Sequence, residues 1–337
     1  MIEARVICDS VGEHSPRLTT FLTRYPKFIH AEHMRHRTGS YSVSSSRAIP
    51  VAKNLEEVRS DELRAAPVWW GREQRGMQSG EELSDEPISE NDWYGPLPDE
   101  RPLPSERQLA KDQWGQAALM AASVAHTLVL RRVHKSIVNR LLEPFLHVNV
   151  LWTTAEPGLL NFLGLRLDKV AQPEMRALAE AVWRAWNESE PQRLEPGQWH
   201  LPFVKNEHDL GLSIPFDLRD RGWSESLIET ARLVSMARCA RLSYMSFETQ
   251  RRSVIQEDLI LADKLITSRH WSPAEHQATP DTKISWWIDD ERNPRKEPDF
   301  EQWEHPEQGG NLGPGWRQYR KILPGEAVAP LPEGYVR

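Results

Sequence analysis

The sequence lacks most of the features that would announce a protein class at once. It has two cysteines in 337 residues, Cys8 and Cys239, and no C-x-x-C pair, which excludes a disulfide framework and a structural zinc ribbon. Both are expected to be buried free thiols. No apolar run reaches the roughly 18 residues of a membrane helix; the best stretch, 117–130, is broken by Ser123, His126 and Thr127. The first residues carry no basic segment followed by an apolar core, so the expected location is cytoplasmic, with no membrane partner. No G-x-G-x-x-G follows any strand-like run, which removes the usual dinucleotide fingerprint. Positive charge is not in excess either: the net charge is −7, which argues against coating nucleic acid.

What is present is an ordinary globular composition, 39% hydrophobic and 27% charged, with a mean hydropathy of −0.61. The length suits one large α/β domain or two modest ones. Three polar stretches near 76–105, 188–222 and 285–315 read as irregular insertions within a single domain spanning 1–337. Cations are mostly arginine, 32 against 10 lysines. The guanidinium fork suits phosphate and carboxylate, and several arginines cluster beside Ser and His, which points to a small anionic substrate. Base composition of the gene is the alternative source of the arginine total.

Helices are legible from apolar spacing. Ser105 can cap one in which Leu109, Trp114, Ala117, Ala121, Val124 and Leu128 recur, ending near Arg131 and Arg132. Pro173 suits the start of another, striped by Met175, Leu178, Ala179, Val182, Trp183 and Trp186. Ser224 opens a third through Leu227, Ala231, Val234 and Ala237, and Ser253 to Gln256 forms a capping box before Leu259, Ala262 and Ile266. Alternation of Leu146, Val148, Val150 and Trp152 predicts a strand, as does the run 18–22.

The densest polar constellation is 30–47, HAEHMRHRTGSYSVSSSR. His30, His33 and His36 with Glu32 have the residue types of a metal site, and so of a metal-dependent hydrolase. Arg35 and Arg37 oppose that reading, because fixed positive charge beside a dication is costly. The same segment reads as an anion cradle of guanidiniums, hydroxyls and backbone N–H groups near Gly39, or as a solvated loop.

These residues also carry a resemblance. Arg35-His36-Arg37, seven residues, Ser45 and then Arg47 is similar to the RHR-x7-S-x-R signature of the flavin-dependent thymidylate synthases. Residues 139–144 (NRLLEP), 161–166 (NFLGLR) and 171–174 (AQPE) resemble that family's NR-x-LEP, NF-x-x-LR and AQ-x-E boxes. Residues 236–244 and 270–276 resemble its AAR-x-S and H-x-SPFEH boxes. In common members those last two boxes precede RHR; here they follow it, as in longer phage-type and actinobacterial relatives. The chain departs from the pattern at Glu32 (usually Gln), Ser42 and Val43 (Asn and Glu), Ala48 (Tyr), Ala155 (Asn) and Val170 (His).

The resemblance implies an α/β (α+β) fold, a mixed sheet flanked by helices with permuted motif order, and a homotetramer with active sites between subunits. It implies reductive C5 methylation of a pyrimidine nucleoside monophosphate, dUMP or, as in nucleoside-antibiotic pathways, UMP. FAD would be the cofactor, with methylenetetrahydrofolate and NADPH as co-substrates. It assigns Arg35, His36, Arg37, Asn161, Ser243 and His276 to the flavin, and Glu32, Ser45, Arg47, Arg140 and Arg166 to the nucleotide. Arg166 is the catalytic candidate, since developing charge on the pyrimidine carbonyl needs a cation. A salt bridge to Asp168 or Glu174 is the other use for Arg166, and a helix C-cap the other use for Arg140. Neither cysteine is placed as an activated thiolate, so the flavin route, which needs no enzymic adduct, fits better than the classical one. A nucleotide- or flavin-binding protein without catalysis remains the non-enzymatic alternative.

Overall fold

The computed structural model describes residues 2–76, 80–93, 102–204, 225–243, 255–286 and 300–326. A five-stranded sheet of order β3-β4-β2-β1-β5 organises them, made from β1 (Glu3–Gly12), β2 (Leu18–Pro26), β3 (Ser40–Val43), β4 (His147–Ala155) and β5 (Gln192–Leu194). All neighbours are antiparallel except β1 and β5, so the sheet is mixed. The alternating run expected from Leu146 to Trp152 is the central strand β4, and the run 18–22 opens β2. The sequence reading missed β1. Its alternation is blurred by Arg5, Asp9 and Ser10, and its ladder slips at a bulge between Val6 and Cys8.

Both faces of the β2–β4 pair are covered, which is why β4 is buried from Val150 to Ala155. On one face Phe21, Tyr25, Val148, Val150 and Trp152 meet α5 (Glu156–Arg166) and α6 (Pro173–Asn187) through Leu159, Phe162, Met175, Leu178 and Val182. The expected α6 stripe forms, except that Trp183 is exposed. On the other face Leu22 and Leu151 meet Cys239 and Leu242, at and just past the end of α7 (Glu225–Ala240). Above them Leu18 and Ala155 meet Leu312 and Trp316 of the C-terminal segment. A separate two-stranded sheet pairs residues 278–280 with 316–318 of that segment.

A second core packs α2 (Val51–Arg59) against α3 (Glu106–Leu130). Ser105 caps α3 as expected, its hydroxyl accepting from Gln108 N at 3.1 Å. The buried face differs from the expected stripe: Ala118, Ala122 and Ala125 are buried, whereas Ala117 and Val124 are exposed. Small residues are chosen where α2 approaches closely, so large size was a poor guide to the inner face. Residues 255–267 form the expected next helix, and its proposed cap at Ser253, like Ser224, lies outside the described residues. Among the described residues no helix is long and apolar enough to cross a membrane.

At Gly39 the RHR segment runs close against the sheet. A Cβ there would lie 2.4 Å from Trp152 Nε1 and 2.9 Å from Thr153 O, with φ at +158°. Gly39→Ala should therefore destabilise the protein by about 1–3 kcal/mol through overpacking. A urea denaturation midpoint equal to that of the parent would show that the segment can shift at no cost.

Candidate active site

Three hydrogen-bonded groups gather along the β3 edge of the sheet. The first joins the short helix α1 (His30–His33) and the turn after it to α5. Gly158 permits this packing, since a Cβ there would meet Thr38 Oγ1 at 2.7 Å and Thr154 Oγ1 at 2.8 Å. At the far end of α5, Arg166 Nε donates to His36 Nε2 at 3.0 Å, and Phe162 meets the same imidazole edge-on. Burial, and then the Arg166 charge, pull the His36 pKa down to about 4, so the ring is a neutral acceptor at pH 7. Asp168 and Glu174 do not pair with Arg166: Asp168 accepts from Val170 N and Glu174 from Val68 N. The terminal nitrogens of Arg166 have no partner among the described residues.

Arg35 and Arg37 are exposed beside His36, and Asn161 is exposed on α5. Among the described residues no carboxylate lies within ion-pair distance of Arg35, Arg37, Arg47, Arg140 or Arg166. Glu32 is half-buried, with Oε2 sealed from solvent and unpartnered. The histidine triplet does not converge on an ion. His30 Nδ1 and His33 Nδ1 both bond the Tyr25 hydroxyl, at 2.9 and 2.8 Å, while His36 faces Arg166. The metal-site reading fails there because the rings face a phenol and a cation. Ligand-type atoms do converge at Asp281, Glu304 and His305, but Asp281 already accepts from His305 N and Nδ1 as a turn lock.

The second group is the Ser45–Arg47 turn. Asn139 Nδ2 donates to Ser46 O at 2.6 Å and to Ile49 O at 3.0 Å. Glu143 accepts from Ser46 Oγ at 2.5 Å and from Lys27 Nζ at 2.6 Å. Ser45 N donates to Ser243 Oγ at 2.7 Å. Asn139 and Glu143 thus hold the turn, a role the sequence reading did not give them although they flank Arg140 in its box. Arg47 and Arg140 are exposed. A cleft opens beside the turn, lined by Ser44, Ser46, Ser243 and Asn149 with Arg24, Lys27, Lys53 and Glu57 as its charged groups, Arg24 pairing with Glu57 and Lys27 with Glu143. These three cations were also missed, since they stand outside every quoted motif.

The third group is His276, fully buried, with Nε2 2.9 Å from Ser42 Oγ and Nδ1 2.8 Å from Thr153 Oγ1. Its environment pushes the pKa down to about 3 by burial. Cys239 is buried as expected whereas Cys8 is only half-buried, and desolvation disfavours both thiolates, raising the Cys8 thiol to about 12 and the Cys239 thiol further.

The described residues form a mixed α/β sheet that carries exposed guanidiniums along one edge. A family model described as thymidylate synthase complementing protein matches residues 8–192, more than half of the chain, so the chain belongs to that family, the flavin-dependent thymidylate synthases. No curated protein matches the chain. Ser243 and His276 lie beyond the matched residues, yet each touches the RHR-x7-S-x-R segment within it.

The buried histidines set an acid limit on stability. His33, His200 and His276 titrate at about 3 in the fold, against about 6.5 when unfolded. The unfolded chain therefore binds more protons between those values, so stability falls as pH drops from about 6.5 towards 3. Urea midpoints should be lower at pH 5 than at pH 7, before most carboxylates titrate. Equal midpoints would show that these imidazoles are not buried in neutral form.

Proposed function

We propose that this chain catalyses the reductive C5 methylation of dUMP, with UMP as a weaker substrate, using FAD, methylenetetrahydrofolate and NADPH. Membership of the family supports thymidylate synthase-type activity in general. The observation that carries the finer reading is the meeting of boxes far apart in sequence: Arg166 on His36, Ser243 on Ser45 and His276 on Ser42.

The donor set fits the cofactor. Arg35 and Arg37 have no carboxylate within ion-pair distance among the described residues, and with Asn161 they offer forked donors for a diphosphate. His36, Ser243 and His276 would complete the flavin's surroundings. The bound flavin would supply the redox chemistry of the transfer. Ser45, Arg47 and Arg140 would take the nucleotide phosphate, and Glu32 would meet the nucleotide on the α1 side. Arg166 keeps its terminal nitrogens for a carbonyl that gains charge, while His36 fixes its Nε. Ser42 and Val43 stand where the family usually has Asn and Glu, and smaller side chains there would leave room for a 2′-hydroxyl on a sugar bound beside them.

A homotetramer is part of this proposal. Leu119, Met120, Val124 and Leu130 expose an apolar face on α3, with Met120 70% and Leu130 71% exposed. Light scattering should give four chains, and Met120→Glu with Leu130→Glu should lower the mass; a monomeric parent protein would overturn the assembly.

Protein incubated with FAD and desalted should retain flavin absorbance, and should consume dUMP faster than UMP. Folded protein that stays colourless overturns the cofactor; coloured protein that methylates neither nucleotide overturns the reaction. Arg166→Ala should reduce turnover by roughly 100-fold or more with a smaller effect on nucleotide affinity, because its contact grows in the transition state. Arg47→Ala should mainly weaken nucleotide binding, as a phosphate contact is similar in both states. Cys8→Ala and Cys239→Ala should preserve turnover; loss in either, with normal stability, would restore a thiol mechanism.

A further inference from the structure

A continuous chain of buried hydrogen bonds crosses the inner face of the sheet and ends at Ser42. His200 Nδ1 lies 2.9 Å from Ser10 Oγ, and its Nε2 2.7 Å from Thr20 Oγ1. Thr20 Oγ1 lies 2.7 Å from Thr153 Oγ1, and Thr153 Oγ1 lies 2.8 Å from His276 Nδ1. His276 Nε2 closes the line on Ser42 Oγ at 2.9 Å. His200, Thr20, Thr153 and His276 are all 0% exposed, and Ser10 is 1% exposed. Water cannot interrupt the middle of the line, and among the described residues neither threonine hydroxyl has a third partner.

Proton counting restricts what such a line can do. A neutral imidazole has one N–H and one lone pair, so each histidine must donate on one side and accept on the other. Each threonine hydroxyl has one proton and cannot donate both ways. If His276 donates from Nε2 to Ser42, its Nδ1 must accept from Thr153, Thr153 must accept from Thr20, and Thr20 must accept from His200 Nε2. His200 is then also an Nε2–H tautomer. The pair His276 Nε2–H with His200 Nδ1–H is forbidden. The pair His276 Nδ1–H with His200 Nε2–H makes one threonine accept twice, which strands a buried hydroxyl proton, a costly arrangement. Two fully satisfied states remain, with both histidines Nδ1–H or both Nε2–H. In the first Ser42 donates to His276; in the second it accepts and turns its own proton towards the site. The low pKa of both rings, a consequence of burial, keeps them neutral at pH 7.

We propose that His200, Thr20 and Thr153 are positioning residues that lock the tautomer of His276 to that of His200 and so set which way the Ser42 hydroxyl presents its proton at the active site. His200 lies outside the family-matched residues, so this control is fed in by the C-terminal half of the chain. The tautomer lock stands on hydrogen-bond geometry alone. Its consequence for flavin rests on the function proposed above.

The test uses the full chain with 15N-labelled histidine, without added FAD. Two-bond 15N–1H correlations distinguish the tautomers, and His200→Asn and His276→Asn assign the signals. The expected result is the same tautomer at both positions; opposite tautomers overturn the lock. Thr20→Val keeps the shape but removes the central hydroxyl, and should change the His276 tautomer population although Thr20 does not touch His276. Thr20→Ser should restore it. An unchanged His276 in Thr20→Val overturns the proposal, and Ser10→Ala, which removes the end of the line, supplies the same reading should Thr20→Val fail to fold. With FAD added, Thr20→Val should weaken binding roughly three- to tenfold, the scale of one hydrogen bond. A preserved lock with unchanged FAD affinity overturns only the link to flavin, and absence of any FAD binding in the parent overturns the functional reading while leaving the lock intact.

Discussion

The pairing of β2 with β4 is the constraint on which the rest of the structure depends. Their register sets Thr20 opposite Thr153, Leu22 opposite Leu151 and Phe21 opposite Trp152. Alternation then sends Phe21 and Trp152 to the α5–α6 face, and Thr20, Thr153 and the two leucines to the other. A slip of one residue would put two threonines into the aromatic core and two aromatics under the C-terminal segment. Each outcome buries polar groups without partners or opens voids, so the register is strongly specified. Once it is set, β3 adds Ser40 opposite Thr153 and Ser42 opposite Leu151 on the same face. The face that the site edge presents is thus set by side-chain alternation along the strands.

Sequence order matters little to this arrangement, because the second face is closed from the C-terminal side. Gln318 Nε2 donates to Ser40 Oγ at 3.1 Å and to Glu275 O at 2.9 Å. Arg320 pairs with Glu275, and Trp316 Nε1 donates to Pro16 O. The 270–276 box is therefore held from its far side while His276 reaches Thr153 and Ser42. A motif needs only a strand edge to dock on and a clamp behind it. Permuting its place in the chain changes loop lengths, whose entropic cost grows only with the logarithm of length.

What the sequence reveals follows the same physics. Helices α3 and α6 and strand β4 were legible because their periodicity extends over many residues. Strand β1 was not, because Arg5, Asp9 and Ser10 interrupt it and a bulge breaks its phase. Arg166, His36, Ser45, Ser243 and His276 were legible as candidates through their boxes, although nothing local told that Arg166 meets His36 rather than Asp168. Asn139 and Glu143 were hidden in plain view: they act on the backbone and hydroxyl of another motif, and such long-range hydrogen bonds leave no period. His200 and Thr20 belong to no motif, and only the register of β2 against β4 gives them a connection to the site.

The electrostatic design explains why a protein of net charge −7 can suit an anionic ligand. Arg17, Arg64, Arg107, Arg238 and Arg320 are each held by a carboxylate. The guanidiniums of Arg35, Arg37, Arg47, Arg140 and Arg166 have no such partner among the described residues. Crowding unpaired cations costs folding energy through mutual repulsion, and solvent exposure of Arg35, Arg37, Arg47 and Arg140 keeps that cost low by screening. Arg166, half-buried, is the exception. Its neighbour is a histidine held neutral by burial and by Arg166 itself, so the pair carries one charge instead of two. That choice leaves the guanidinium uncompensated in a partly dry place, where its attraction for a developing negative charge is strongest. A carboxylate at the His36 position would pair with Arg166 and cancel the charge on which its proposed role depends.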